Sequence, residues 1–376
     1  MDLRTRLAPV LDTARDAARD VDATATFPDA AVKALRESGL LGLTLPAEVG
    51  GLGGGPAELV EVTSRLAAAC GSSAMVYLMH VSAAMPLAAA TPPGLPDLLG
   101  QLASGHTLGT LAFSEPGSRS HFWAPVSRSA FDGETVRLGA AKSWVTSAGH
   151  ADVYVVSTLS PDGASDRDTI DLYAVASDTA GVTVAGPWHG MGLRGNASAP
   201  MRFDATVPAA HRLGAPGTGF DLMLQTVMPW FNLGNAAVSL GLAQAALDAA
   251  LRHTSGARLQ HLGSTLAELP TIRAQLAKAA LDLASTRAYI EQAADRLAHP
   301  AEDTMLHVLG VKAAANDAAL RITDVAMRVC GGAAFSEHLQ LERYFRDARA
   351  GHVMAPTADV LYDFYGKAIT GQPVFG

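Results

Sequence analysis

Helical periodicity fills both ends of this chain and stops in the middle, and few folds accommodate that order. Near the start, Leu3, Leu7, Val10, Leu11, Ala14, Ala18 and Val21 recur at helical spacing, with Arg and Asp on the other face. Pro28 suits a first helical turn, and Gly39 is placed to cap the run 30–38. Residues 45–55 (Leu-Pro-Ala-Glu-Val-Gly-Gly-Leu-Gly-Gly-Gly) are too glycine-rich for helix or strand and predict a loop. Helix returns over 56–69 and 73–90, with a short piece at 95–103. From 106 to 212 short β-type runs take over, 153–158 and 169–176 among them, divided by Gly, Asp, Ser and Pro. A polar surface loop is expected at 162–168. After Gly219 the helical period resumes over 220–253, 264–298 and 303–330, then in shorter pieces. These patterns predict an α+β chain: an N-terminal helical domain over 1–105, a central β domain over 106–215, and a C-terminal four-helix bundle over 216–376.

Composition narrows the function classes. Aromatic residues make up only 6% while alanine is abundant, which favours close-packed helices. The net charge of −8, with no clustered basic face, argues against a nucleic-acid surface. Cys70 and Cys330 lack metal-ligand spacing and read as buried free thiols, so no metal site is expected. The apolar stretch 74–90 is broken by His80, Ser82 and Pro86 and fits a buried helix better than a membrane span. The first residues lack the apolar centre of an export signal, which predicts a cytoplasmic protein.

Two strand ends carry the chemistry. Residues 111–121 read Leu-Ala-Phe-Ser-Glu-Pro-Gly-Ser-Arg-Ser-His, and 142–149 read Lys-Ser-Trp-Val-Thr-Ser-Ala-Gly. Each runs from β-rich sequence into hydroxyl and glycine residues that can present N–H and O–H groups to a flat, polar-edged cofactor. This pairing resembles the flavin-binding segments of the acyl-CoA dehydrogenase superfamily, and the order of helices, β domain and helices resembles that family along essentially the whole chain. The resemblance implies FAD as cofactor, a β-barrel-like central domain, and a homodimer or homotetramer paired through the bundle, each flavin touching two subunits. It assigns ring contacts to Leu111, Phe113 and Ser114, a packing position beside the ring to Trp144, the N5 edge to Thr146, and the diphosphate to Ser120. The family's Gln-x-x-Gly-Gly turn corresponds to Arg328-Val329-Cys330-Gly331-Gly332, which keeps Gly331 and Gly332 as cofactor contacts. Its Arg-x-x-Phe-Gly element becomes Leu259-Gln260-His261-Leu262-Gly263, so Arg119, Arg328 or Arg258 is expected to supply the missing cation.

The family's Glu-Arg-x-x-Arg-Asp-Ala-Arg helix is matched from Glu342 to Arg349, but the Glu-Gly-Thr that follows is Ala355-Pro356-Thr357 here. Thr357 is kept as a cofactor contact; the carboxylate is lost. The alternative base position of the family, on the first bundle helix, holds Phe231, followed by Asn232. With Ala355 these residues are expected to line the substrate pocket, and Phe113, Phe122, Trp123 and Trp230 are either further wall or core. His352, three residues before Ala355, is the candidate replacement base. Drawing a hydride from an acyl thioester requires a proton acceptor near the α-carbon, and alanine and phenylalanine accept none. The sequence therefore favours a monooxygenase that uses reduced flavin and dioxygen on nitrogen, sulfur or an aromatic carbon, with FAD supplied reduced by a separate flavin reductase. The alternatives are an acyl-CoA or acyl-carrier-protein α,β-dehydrogenase with a relocated base, and an inert flavin-binding module.

Overall fold

The structure, a computed structural model, describes residues 2–118, 121–161 and 169–375. Five helices come first: α1 (Leu3–Thr24), α2 (Asp29–Ser38), α3 (Pro56–Ala69), α4 (Gly71–Ala89) and α5 (Leu98–Ala103). The predicted apolar stripe of α1 is its buried face, and Gly39 ends α2 in the left-handed conformation, with its N–H on the Arg36 and Leu35 carbonyls. The glycine-rich stretch before α3 is a loop with one short turn of 3-10 helix at Ala47–Val49. Among the described residues α4 alone is long and apolar enough to cross a bilayer, and it is instead buried within the fold.

His80 shows how α4 is fastened. Its ring is fully buried, with Nε2 3.0 Å from the Leu41 carbonyl oxygen, while Nδ1 accepts the Gly109 N–H at 3.0 Å. One neutral tautomer satisfies both partners, so a helix, a loop and the first strand meet on one uncharged imidazole. Burial pushes its pKa down to about 4. As pH falls from 6.5 toward 4, the unfolded chain takes up a proton that the folded chain refuses, so the folded state loses about 3 kcal/mol over that window. In urea unfolding, the stability gap between wild type and His80→Gln should therefore close by about that amount between pH 7 and pH 4. A gap that stays constant with pH sinks the assignment.

The middle of the chain forms two sheets. One has the order β1 (Gly109–Ala112), β4 (Val153–Leu159), β5 (Ile170–Ala176), with β1 and β4 parallel. The other has the order β2 (Ala130–Asp132), β3 (Thr135–Val145), β7 (Ala199–Pro208), β6 (Val182–Val184). Strands β3 and β7 alternate buried and exposed positions, and their inward residues share one core with Tyr154, Val156, Tyr173 and Val175 of the other sheet.

The last third is helical: α6 (Gly219–Leu222), a π turn (Met223–Val227), α7 (Met228–Gly256), α8 (Pro270–Ala298), α9 (Thr304–Cys330), α10 (Gly332–Phe335), α11 (Leu341–Val353) and α12 (Ala358–Ile369). Helix α8 begins at Pro270 rather than 264, because Arg258–Leu259 and Ser264–Thr265 pair as a small hairpin, β8 with β9, and Thr265 and Glu268 then cap the turn ahead of the proline. Helix α7 is central, packing against α3, α4, α8, α9 and α11. Small residues permit the closest of these approaches: a Cβ on Gly241 would lie 2.0 Å from the Ser64 carbonyl oxygen of α3.

Candidate active site

A cavity of about 1010 Å³ opens where the β domain meets α4, α7 and α11. Its β-domain wall comes from the end of β1 (Leu111, Phe113, Ser114), the end of β3 (Ser143, Trp144, Thr146) and the β6–β7 connection, including Trp188, Leu193, Asn196 and Ser198. Opposite stand Met75 and Met79 of α4, Val227 at the end of the π turn, Phe231 in the first turn of α7, Val353 at the end of α11, and Met354 and Ala355 just after it.

The β wall is built under strain. The β3–β7 register shifts between Lys142 and Val145, and at this bulge Trp144 takes φ 55° and stands 68% exposed, edge-on to Trp188 at 5.9 Å. Ser147, Leu193 and Ala197 also have positive φ, so four of the six such non-glycine residues among those described fall on the two segments that frame this wall. Conformations of this kind persist only where surroundings enforce them, and they concentrate at functional sites. Here the enforcement is mutual. The Ser147 N–H donates to the Asn196 carbonyl at 2.9 Å, the Ala148 N–H donates to that of Ala197 at 3.1 Å, and the Thr146 and Ser198 hydroxyls are 2.9 Å apart.

Behind Ser114 lies a buried ion pair. Lys142 Nζ is 2.5 Å from Glu115 Oε1 and also donates to the carbonyls of Phe113 (3.2 Å) and Ser157 (2.6 Å). Glu115 Oε2 accepts the N–H groups of Val126 and Ser127 at 2.8 and 2.7 Å. Burial works to raise the Glu115 pKa, but Lys142 and Ser127 outweigh it and hold the carboxyl below its usual range. Glu115 is thus committed to structure although it touches the cavity.

The opposite wall is held through its main chain. Lys312 of α9, fully buried, donates to the carbonyl oxygens of Gly351 (2.9 Å), Met354 (3.1 Å) and Pro356 (2.8 Å), and the Asn235 amide donates to Met354 Sδ at 3.6 Å. Burial pushes the Lys312 pKa down to about 7. Asp347, on α11, accepts the Leu193 N–H at 2.6 Å and ties this wall to the other.

The residues expected from sequence divide clearly. Leu111, Phe113, Ser114, Trp144, Thr146, Phe231 and Ala355 are brought together around the cavity. Asn232 is not: one step round α7 from Phe231, it donates to the Val308 carbonyl at 2.9 Å between helices. His352 is corrected as a candidate base, because it lies on the α9 side of α11 with Nδ1 3.3 Å from Asp317 Oδ1 and does not line the cavity. Arg328, Gly331 and Gly332 are exposed at the end of α9, and Thr357 is the N-cap residue of α12; none lines this cavity. Arg119, Ser120 and the loop 162–168 fall outside the described residues. Sequence reading missed the β6–β7 connection, whose dense Trp, Gly and Met content at 188–192 was the available signal.

The β wall suits a flavin. Buried Asn196 lines the cavity and its Nδ2 has no partner, so a donor is left for a ligand oxygen or nitrogen, beside the Thr146 and Ser198 hydroxyls and the exposed Trp144 face. No carboxylate among the described lining residues is free to accept a proton.

Comparison with known proteins agrees along the whole length. Family profiles described as acyl-CoA dehydrogenase N-terminal, middle and C-terminal domains match residues 4–106, 110–206 and 217–370. A cyclohex-1-ene-1-carbonyl-CoA dehydrogenase of Geobacter metallireducens is 30% identical over 96% of this chain and 96% of its own. The short-chain specific mitochondrial acyl-CoA dehydrogenase of Bos taurus is 30% identical over 91% of this chain and 83% of its own. The solved structure of butyryl-CoA dehydrogenase from Megasphaera elsdenii superposes with a TM-score of 0.90 over 98% of both chains at 23% identity, a likeness of fold.

Proposed function

Since this chain belongs to the acyl-CoA dehydrogenase superfamily and is an FAD-dependent oxidoreductase, we propose that its cavity oxidises an acyl thioester lying between the β wall and the Phe231–Ala355 wall. The observation that carries this reading is the continuity of the cavity: Ser114, Trp144 and Thr146 line the same space as Phe231, Met354 and Ala355. Bound FAD would supply two-electron oxidation, taking a hydride equivalent from carbon. Thr146, Ser198 and Asn196 would hold the polar edge of the flavin, with Trp144 against its ring. Phe231, Val227, Met75 and Met79 offer an apolar bed for the acyl chain.

This chain departs from that scheme at one step. An α-proton must leave as the hydride does, and Ala355 and Phe231 offer nothing to receive it, while Glu115 is tied to Lys142. With no lining carboxylate available among the described residues, proton release falls to His189, which also lines the cavity, or to solvent, and this favours thioesters whose α-C–H is already acidic. The relatives' names support oxidation of a thioester over the oxygenase reading that the empty base positions favoured. The oxygenase remains a second reading on one specific observation, the lack of a free carboxylate in an otherwise well-formed cavity.

Anaerobic mixing of the FAD-loaded protein with acyl-CoA separates the two. Bleaching of the flavin with formation of enoyl-CoA is the expected result. No bleaching, together with an oxygenated product that forms only when reduced FAD and dioxygen are supplied, would overturn the thioester reading.

A further inference from the structure

Aromatic residues are sparse in this chain, yet six of them form one connected cluster behind a single side of the cavity. Phe113 and Phe122 line the cavity and stack on each other with ring centroids 6.0 Å apart. Trp123 meets Phe122 edge-on at 5.1 Å and is backed by Phe364 at 5.6 Å and Phe375 at 5.9 Å. Phe375 also contacts Phe364 at 5.1 Å and Phe220 at 6.3 Å. Three separate pieces of chain therefore converge on Phe375: the segment carrying Phe122 and Trp123, helix α6 and helix α12.

The position of Phe375 follows from local structure. Helix α12 ends at Ile369, Gly371 takes φ 72°, and the Gln372 N–H returns to the Lys367 carbonyl at 2.8 Å, which reverses the chain and lays residues 373–375 back toward Phe364. The segment on the other side is irregular, and around Phe122 its described backbone bonds are turn bonds, His121 N–H to Ser118 and Ala124 N–H to His121. No sheet ladder fixes the Phe122 and Trp123 rings. Side-chain packing does, and the rings behind Trp123 are part of it.

We propose that Phe375 is a positioning residue for substrate size: by wedging Trp123 it holds Phe122 against Phe113, ends the acyl space at that wall, and confines the site to short or compact apolar groups. The proposal rests on the thioester reading for its substrate class. Without the wedge, Trp123 and Phe122 can swing outward and the cavity lengthens. Each methylene newly accommodated tightens binding by about fourfold, so room for two or more raises affinity by about tenfold or more.

The test compares wild type, Phe375→Ala and Phe375→Tyr in their FAD-loaded forms, with ligand binding read from the visible flavin band. Propionyl and decanoyl pantetheine thioesters form one series, and propanol and decanol form another. The expected result is that Phe375→Ala improves the affinity for the long ligand relative to the short one by at least about tenfold in both series, with Phe375→Tyr like wild type. An unchanged ratio, or equal loss of affinity for both lengths, overturns the proposal. If Phe375→Ala loses flavin, Phe375→Leu replaces it under the same criteria. Alcohols that bind wild type where thioesters do not would sink the thioester reading, and the alcohol ratio would still decide the role of Phe375.

Discussion

An Ala355→Glu variant should reduce its own FAD with a straight-chain acyl-CoA, in the absence of oxygen, at least about a hundredfold faster than the wild type. Ala355 lines the cavity on the side facing Ser114 and Thr146, so a glutamate there would present a carboxylate to a substrate lying between the walls. General bases contribute roughly 10²–10⁴ to proton abstraction, and the lower figure allows for imperfect aim. The backbone on either side is held independently of the side chain, since Lys312 takes the carbonyls of Met354 and Pro356. Rapid-mixing absorbance of the flavin band measures the effect directly. If the variant keeps its FAD and shows no gain, an acyl α-carbon does not lie against residue 355, and the thioester reading fails with it.

The second large effect concerns stability. Lys142→Met should destabilise the protein by about 3–5 kcal/mol, because it leaves the Glu115 carboxylate buried with no cation. Exposure of the two side chains is 0% and 3%, so water cannot replace the lost partner. The double variant Lys142→Met/Glu115→Gln removes the charge as well and should recover a large part of the loss, as coupling within one buried pair demands. Urea unfolding of the four proteins supplies the cycle. Additive losses would mean that the two groups are not a unit. The single variant should also lose FAD, since Lys142 anchors the Phe113 carbonyl next to Ser114.

The helices were legible because amphipathic spacing is a local signal: the stripe of α1 and the Gly39 cap of α2 appear in the structure as the sequence predicts. That Ser114, Trp144 and Thr146 share one cavity was legible because they lie at strand ends with distinctive neighbours. Burial of Lys142 was not, because lysine is almost always exposed and only the tertiary fold brings Glu115 to it. His352 and Asn232 failed for a simpler reason. Sequence proximity to a site residue says nothing about which way a helix turns, and one or three steps along α7 or α11 point a side chain at another helix. The β6–β7 connection has no period to read, and its role emerges only where its strained residues pair with those following β3.

Lys312 has a consequence of a different kind. Because it grips main-chain oxygens, the residue at 355 can change without disturbing the neighbouring backbone, and any side chain compatible with the space can be presented to the substrate. Such an arrangement separates the evolution of the reaction from the evolution of the fold. A single substitution at 355 can add or remove a proton acceptor while the cavity wall formed by Ser114, Trp144 and Thr146, on a different part of the chain, is left in place.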